Sequence, residues 1–337
     1  MNSHEDKILR DMFEELEKSS AIYHPSKFWE RLNKVHLEYL SKTGFSNFKR
    51  TINFKYFNWE SVGIIVHQLS PILREFMKGN FAPLFRSSLK NTEKFNYLTA
   101  LIYRVYLACL FEYISKKDNL KILNNVEEPS IGNPLVVNYN NKLISQDLCN
   151  SVYELYSITQ SINLSKKAKI AELGAGYGRT GYVLLKVLPN SSYCIIDIPP
   201  ALFIAQNYLS KVFPKEKIFK FRSFKLFKEV KKEFESSRIQ FLMPHQVELL
   251  PNKYFELFIN ISSLHEMTRE QIKNYIKQIN RLCKGYFYTK QWRRSRIKDN
   301  QFIKQNEYPI PRNWRIIYTR NRHPIQKMFF DALYIIK

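Results

Sequence analysis

The sequence predicts an α/β fold, a parallel sheet with helices on both faces, preceded by an α-helical N-terminal domain. Three observations carry this. Apolar residues recur at helical spacing up to about residue 125. From residue 168 short apolar runs alternate with helical ones, the order of a parallel sheet. Four of the nine glycines, at 174, 176, 178 and 181, crowd between one such run and the helix after it.

Composition narrows the class. The 337 residues carry 53 Lys and Arg against 30 Asp and Glu, a net charge of +23. At 45% hydrophobic and 25% charged, the chain is not a mostly disordered one. Its length suits two units of roughly 150 residues. Scarce glycine excludes collagen-like and Gly-rich low-complexity readings. Cys109, Cys149, Cys194 and Cys283 lie far apart, which argues for buried thiols and against disulfides or structural zinc. The first 18 residues are charged throughout and are not read as a signal peptide.

In the N-terminal part, Ile8, Met12, Phe13 and Leu16 share a helical face, as do Phe28, Leu32, Val35 and Tyr39. Segments 58–77 and 91–117 are also predicted helical. The apolar stretch from Tyr97 to Ile114 contains Arg104 and Glu112 and reads as a core helix, not a membrane span. Breakers gather in Glu128–Pro134 and set a domain boundary, 1–127 and 128–337. Helix resumes from Ser145 to about Leu164. Strands are predicted at 168–173, 192–197, 238–242, 256–261 and 285–290, with two more near 314–319 and 328–336. Helices are predicted at 178–188, 200–213 and 268–283. The last opens on Thr268 to Gln271 (TREQ), a capping box that satisfies free backbone donors.

Ligands on such sheets bind beyond the carboxyl ends of the strands. The stretch Glu172–Arg179, ELGAGYGR, lies there. A dinucleotide loop wants a small residue where Arg179 stands, and no Lys-Ser/Thr follows for a P-loop. Glu172 closes the first strand and Asp197 the second. A carboxylate at the first end would repel a pyrophosphate but suits a cationic sulfonium. One at the second can accept both ribose hydroxyls of an adenosine. The combination predicts an S-adenosylmethionine site lined by Glu172, Gly174, Gly176, Gly178, Arg179, Asp197 and Ile198. Met243 and His245, after the third strand, are expected to meet the adenine through the main chain.

The fourth strand runs into Asn260–Met267, NISSLHEM, where Asn260 and Ser262 are added to the cofactor contacts. Methyl transfer is an in-line displacement governed by alignment, and a hydroxyl acceptor gains from a base. His265 stands where that base is needed, and imidazole titrates near neutrality. It could equally pack or cap the next helix. Glu266 could orient His265, act as the base itself or bind a divalent ion. Gln291, Trp292 and Arg293 after the fifth strand, with Tyr177, are predicted to wall the acceptor, by stacking on a sugar and gripping acidic groups. No base-gripping Asn/Asp-Pro-Pro-aromatic motif follows the fourth strand. The +23 charge admits an anionic partner or compositional drift. Basic residues spread over the whole chain, with clusters at Lys228–Lys232 and Arg293–Lys298, favour drift, and no nucleic-acid partner is expected.

These residues resemble a family. The segments ELGAGYGR (172–179), DIPP (197–200), FLMPHQ (241–246), LFINISSLHEM (257–267) and YFYTKQW (286–292), with IGNP (131–134) as lead-in, look like the sugar O-methyltransferases of bacterial surface-glycan clusters. The resemblance covers roughly residues 125–337. It implies a Rossmann-like, class I methyltransferase sheet of seven strands with a reversed last hairpin. It also implies S-adenosylmethionine as methyl donor and a sugar hydroxyl as acceptor, on a sugar nucleotide or a glycan. Some relatives need a divalent metal. The sequence shows no clear ligand cluster, so metal dependence stays open. The N-terminal helices would form a lid or an oligomer contact, which allows a homo-oligomer, and the chain is expected in the cytoplasm. A methyltransferase acting on RNA or another polyanion, and a non-catalytic cofactor-binding module, are the rival readings.

Overall fold

The computed structural model describes residues 3–50, 68–69, 72–73, 88–90, 97–297 and 301–336. In chain order its helices are α1 (Ser3–Lys18), α2 (Lys27–Thr43), α3 (Tyr97–Ser115), α4 (Ile122–Asn125), α5 (Gln146–Thr159), α6 (Arg179–Val187), α7 (Ala201–Val212), α8 (Phe227–Ser236) and α9 (Arg269–Leu282). Its strands are β1 (Ser88–Lys90), β2 (Val136–Tyr139), β3 (Lys142–Ile144), β4 (Lys169–Leu173), β5 (Ser192–Ile196), β6 (Ile218–Phe219) and β7 (Ile239–Leu242). They continue with β8 (Phe255–Ile261), β9 (Cys283–Trp292), β10 (Arg294–Ile297), β11 (Gln301–Lys304), β12 (Arg315–Arg320) and β13 (Phe329–Ile335). The helix expected over 58–77 lies outside the described residues except at 68–69 and 72–73, which are helical, and 91–96 also lie outside them.

The chain forms two compact units. Residues 1–38, 161–323 and 328–337 make one, and 39–160 with 324–327 the other. Packing thus divides the chain differently from a single cut after residue 127. The first 38 residues belong with the sheet: Tyr23 sits in its core cluster, and Gln271 Nε2 donates to the carbonyls of Ile22 and His24.

The sheet of the first unit has the order β12-β13-β9-β8-β4-β5-β7-β6. All neighbours are parallel except β13, which runs antiparallel to both β9 and β12. The reversed last hairpin is therefore present. Among the described residues the sheet has eight strands, because the two-residue β6 adds an edge beyond β7. Successive side chains on a strand point to opposite faces. Ala171, Leu173, Cys194 and Ile196 face one way, into a core with Val230 and Phe234 of α8 and Ile272, Ile276 and Ile279 of α9. Tyr193 and Ile195 face the other way, under α6 and α7. A Cβ on Gly181 of α6 would stand 2.8 Å from the Tyr193 ring, so this glycine lets helix and strand approach closely. The capping box at α9 is formed, with Thr268 Oγ1 accepting from Gln271 N and Gln271 Oε1 from Thr268 N.

The second unit is not purely helical. β1, β2 and β3 form a small antiparallel sheet. Asn140 and Asn141 join β2 to β3 with φ of 50° and 61°, the left-handed pair that a two-residue hairpin needs. Lys49 and Glu128 form a buried ion pair, and Ser145 caps α5 while donating to Glu128 Oε2 at 2.5 Å. Helix α3 is long and apolar enough to cross a bilayer by length and composition, and half of Leu98–Ser115 is buried within the protein. All four cysteines are buried free thiols.

Candidate functional site

The glycine loop leaves β4 at the carboxyl edge of the sheet. Gly174 has φ +69°, and a Cβ there would lie 2.1 Å from Ser263 Oγ, so no larger residue fits beside the β8 loop. Gly176 has φ +59° and open space where a Cβ would stand. Its amide donates to Asp197 Oδ2, and the Ile198 amide donates to Oδ1, both at 2.8 Å. Burial pushes the Asp197 carboxyl up to about 7, outweighing these two donors, which favour the charged form. Glu172 lies beneath the loop, 2% exposed, and accepts from the Tyr193 hydroxyl at 2.7 Å. Arg179 opens α6, half-buried, and Tyr177 is buried edge-to-face on Tyr208.

The loop after β7 is a 3-10 turn, Pro244–Leu249. Met243 is fully buried and its amide donates to Gln246 Oε1. His245 Nε2 lies 3.4 Å from Glu15 Oε1 of α1. Burial lowers the imidazole, and Glu15 partly offsets this.

Asn260 and Gln291 form a buried amide clamp. Asn260 Nδ2 donates to Leu173 O at 2.8 Å and Ser263 Oγ at 3.0 Å, and its Oδ1 accepts from Leu264 N and Gln291 Nε2. All four positions of this amide are engaged. Gln291 Nε2 also reaches Asn260 O and Thr289 Oγ1, while its Oε1 accepts from His265 N at 3.2 Å and meets His265 Nδ1 at 2.9 Å. Both side chains, expected to touch ligands, thus bond to their neighbours in the fold. Ser262 is half-buried with φ +57°, and its amide donates to Lys290 O.

His265 is 2% exposed, stacked on Trp292 at 5.0 Å, with Phe329 edge-on. Burial lowers its pKa to about 4, against a raising bond to Gln291. Glu266 is equally buried and is pushed well above the ordinary carboxyl range by desolvation, opposed by the Trp29 indole, whose Nε1 donates to Oε2 at 2.9 Å. Arg293 is half-buried after β9, its amide bonded to Met328 O. Among the described residues no three His, Cys, Asp or Glu side chains come together as a metal site.

The N-terminal segment supplies contacts that sequence reasoning missed. Ser26 Oγ donates to Glu266 O at 2.9 Å, Asn33 Nδ2 to Pro199 O at 3.1 Å and Tyr23 Oη to Glu248 Oε1 at 2.5 Å. These residues sit on an ordinary amphipathic pattern, and their partners lie 166 to 240 positions away, so no local motif marks them.

No family model matches the chain, and no curated protein matches it. Among solved structures it is similar to an S-adenosylmethionine-dependent methyltransferase from Aquifex aeolicus, at 13% identity over 65% of this chain and 99% of that one, TM-score 0.36. It is also similar to the magnesium protoporphyrin IX methyltransferase of Synechocystis PCC 6803 with bound S-adenosylhomocysteine, at 11% identity over 57% and 86%, TM-score 0.40. A third is phosphoethanolamine N-methyltransferase 1 of Haemonchus contortus, at 13% identity over 57% and 43%, TM-score 0.34. At such identities and scores these likenesses say nothing of the substrate.

Proposed function

We propose that this chain is an S-adenosylmethionine-dependent O-methyltransferase whose acceptor is a sugar hydroxyl on a sugar nucleotide or a glycan. The observation that carries the cofactor reading is the open face of Gly176 beside Asp197. A cradle without side chains lies next to a carboxyl group that, when ionised, offers about four acceptor positions, of which two meet backbone amides. The remaining two suit a vicinal diol such as a ribose. Gly174, Gly176 and Gly178 would form the floor, with Ile198, Met243 and His245 around the adenine and Arg179 and Ser262 at the margins. Glu172, beneath the loop, favours a cationic ligand over a phosphate.

The bound cofactor would supply an electrophilic methyl carbon on a sulfonium. The protein's own part is alignment and proton removal. Gln291 holds His265 by Nδ1, so Nε2 is the ring nitrogen that would take the hydroxyl proton. Asn260 and Gln291 act as positioning residues that tie the β4 end to this imidazole. Trp292, Arg293 and Tyr177 are assigned to the acceptor side. The sugar reading rests on the resemblance of the sequence segments and on this aromatic and basic wall. The same reading places the protein in the cytoplasm, with residues 1–38 as part of the catalytic unit.

Calorimetry with S-adenosylhomocysteine tests the cofactor reading, and an absence of binding would end it. Incubation of nucleotide sugars and cell-envelope glycans with labelled methyl donor, read by mass spectrometry, tests the acceptor. Methylation confined to RNA would replace the sugar.

A further inference from the structure

Two buried atoms after β8, His265 Nε2 and Glu266 Oε1, have no hydrogen-bond partner of their own, and they face each other at 3.4 Å. A buried polar atom left unpaired is costly. One proton between these two would pair both. The rest of the network says where that proton sits. Gln291 Nε2 donates to Asn260 and Thr289, so the atom facing His265 Nδ1 is an oxygen. Nδ1 therefore carries the ring hydrogen and Nε2 a lone pair. The shared proton belongs to Glu266. Desolvation acts in the same direction on both groups, favouring the neutral acid and the neutral imidazole.

The oxygen that carries the proton is selected from 237 positions away in the chain. Trp29 Nε1–H donates to Glu266 Oε2, which makes Oε2 the acceptor and puts the O–H on Oε1, opposite His265. We propose that Trp29 is a positioning residue of the candidate site, whose indole N–H turns the Glu266 O–H toward His265 Nε2. The proposal rests on the reading of His265 as the base, whose lone pair the Glu266 O–H would occupy until an acceptor hydroxyl displaces it. Ser26 Oγ holds the Glu266 carbonyl, so the segment before α2 and its first turn grip both the backbone and the side chain of this residue. Around the pair, Trp292 of β9 and Phe329 of β13 present rings, and Ser295 of β10 donates to His265 O. The Tyr308 phenol, which burial keeps neutral, is a further titratable group close by.

The test reads His265 directly and needs no acceptor substrate. Nitrogen NMR of the histidine-labelled full chain should show an Nδ1–H ring with Nε2 in the hydrogen-bonded range. Trp29→Phe keeps an aromatic ring and removes the N–H. Nε2 should then move to the range of a free lone pair, and the ring should bind protons about tenfold more tightly, since its lone pair is no longer engaged. Glu266→Ala should reproduce that change, and Trp29→Phe added to it should do nothing further. Glu266→Gln retains an oxygen for Trp29 and an N–H for His265, and should keep the bonded signal. An unmoved signal in Trp29→Phe, or an added effect in the Glu266→Ala background, overturns the proposal. If Trp29→Phe does not fold, the Trp29 indole N–H resonance decides: it should move in Glu266→Ala and stay bonded in Glu266→Gln, and an unmoved resonance in Glu266→Ala sinks the proposal. S-adenosylhomocysteine binding is followed in parallel. Its absence in the wild type overturns the methyltransferase reading, whereas binding with an unmoved signal overturns only the role of Trp29.

Discussion

Gln291 holds His265 at two points, its Oε1 lying 3.2 Å from the backbone nitrogen and 2.9 Å from ring Nδ1. The same side chain reaches Asn260, whose amide holds the end of β4. Gln291→Leu would leave His265 N, His265 Nδ1 and one lone pair of Asn260 Oδ1 without partners. We expect it to lower unfolding stability by roughly 3 kcal/mol or more. Urea denaturation followed by circular dichroism checks this, and a change below about 1 kcal/mol would mean that the clamp is not made.

Gly174 and Gly176 separate strain from ligand contact. Both have positive φ, so alanine at either costs about 1–2 kcal/mol of backbone energy. At Gly174 the added methyl also strikes Ser263, so Gly174→Ala should be the more destabilising. At Gly176 the methyl enters open space, so Gly176→Ala should fold nearly normally yet lose at least tenfold in affinity for S-adenosylhomocysteine. Thermal melts beside calorimetry distinguish the two, and equal affinity in Gly176→Ala and wild type would place the ligand elsewhere.

Asp197 sets a pH dependence. Its carboxyl is pushed up to about 7, and only the ionised form can accept both ribose hydroxyls. Affinity for S-adenosylhomocysteine should therefore be fullest above pH 7 and fall about tenfold per pH unit below it. Asp197→Asn should bind weakly with a flat profile between pH 5.5 and 8. Calorimetry across that range would refute this if the wild-type affinity does not change.

His36 is buried beside Trp29, and burial lowers its pKa from 6.5 to about 4. Below pH 6.5 the unfolded chain takes up this proton and the folded chain does not. The stability this neutral ring preserves is thus present above 6.5 and is lost as pH falls to about 4, for a total of about 3 kcal/mol. Relative to wild type, His36→Phe should gain that amount between pH 7 and 4. Parallel denaturation curves at the two pH values check it.

The strands β4, β5, β7, β8 and β9 and the glycine loop were legible because their signals are local, whereas the two-residue β6 has too short an apolar run to read. An apolar run, a cluster of glycines and an acid at the strand end all fall within a few residues. Asn260 and Gln291 read as ligand contacts because polar side chains at strand ends face the ligand edge. Only the three-dimensional register, with Asn260 of β8 opposite Thr289 of β9, shows that they satisfy each other. Tyr177 read as part of the acceptor wall, and its burial on Tyr208 depends on α7 packing against the loop. Trp29 was illegible for the same reason: its helix shows an ordinary amphipathic period, and its partner lies across the chain. The β1–β3 sheet was missed because three-residue strands have no measurable alternation.

The placement of β13 between β9 and β12 has a consequence for biosynthesis. While the polypeptide emerges, β12 has nowhere to dock until the later-made β13 has paired with β9. A ribosome-bound nascent chain halted in the loop between them would carry an incomplete sheet with a bare β9 flank, open to pairing with foreign chains. Chaperone engagement should therefore peak at that stage of translation.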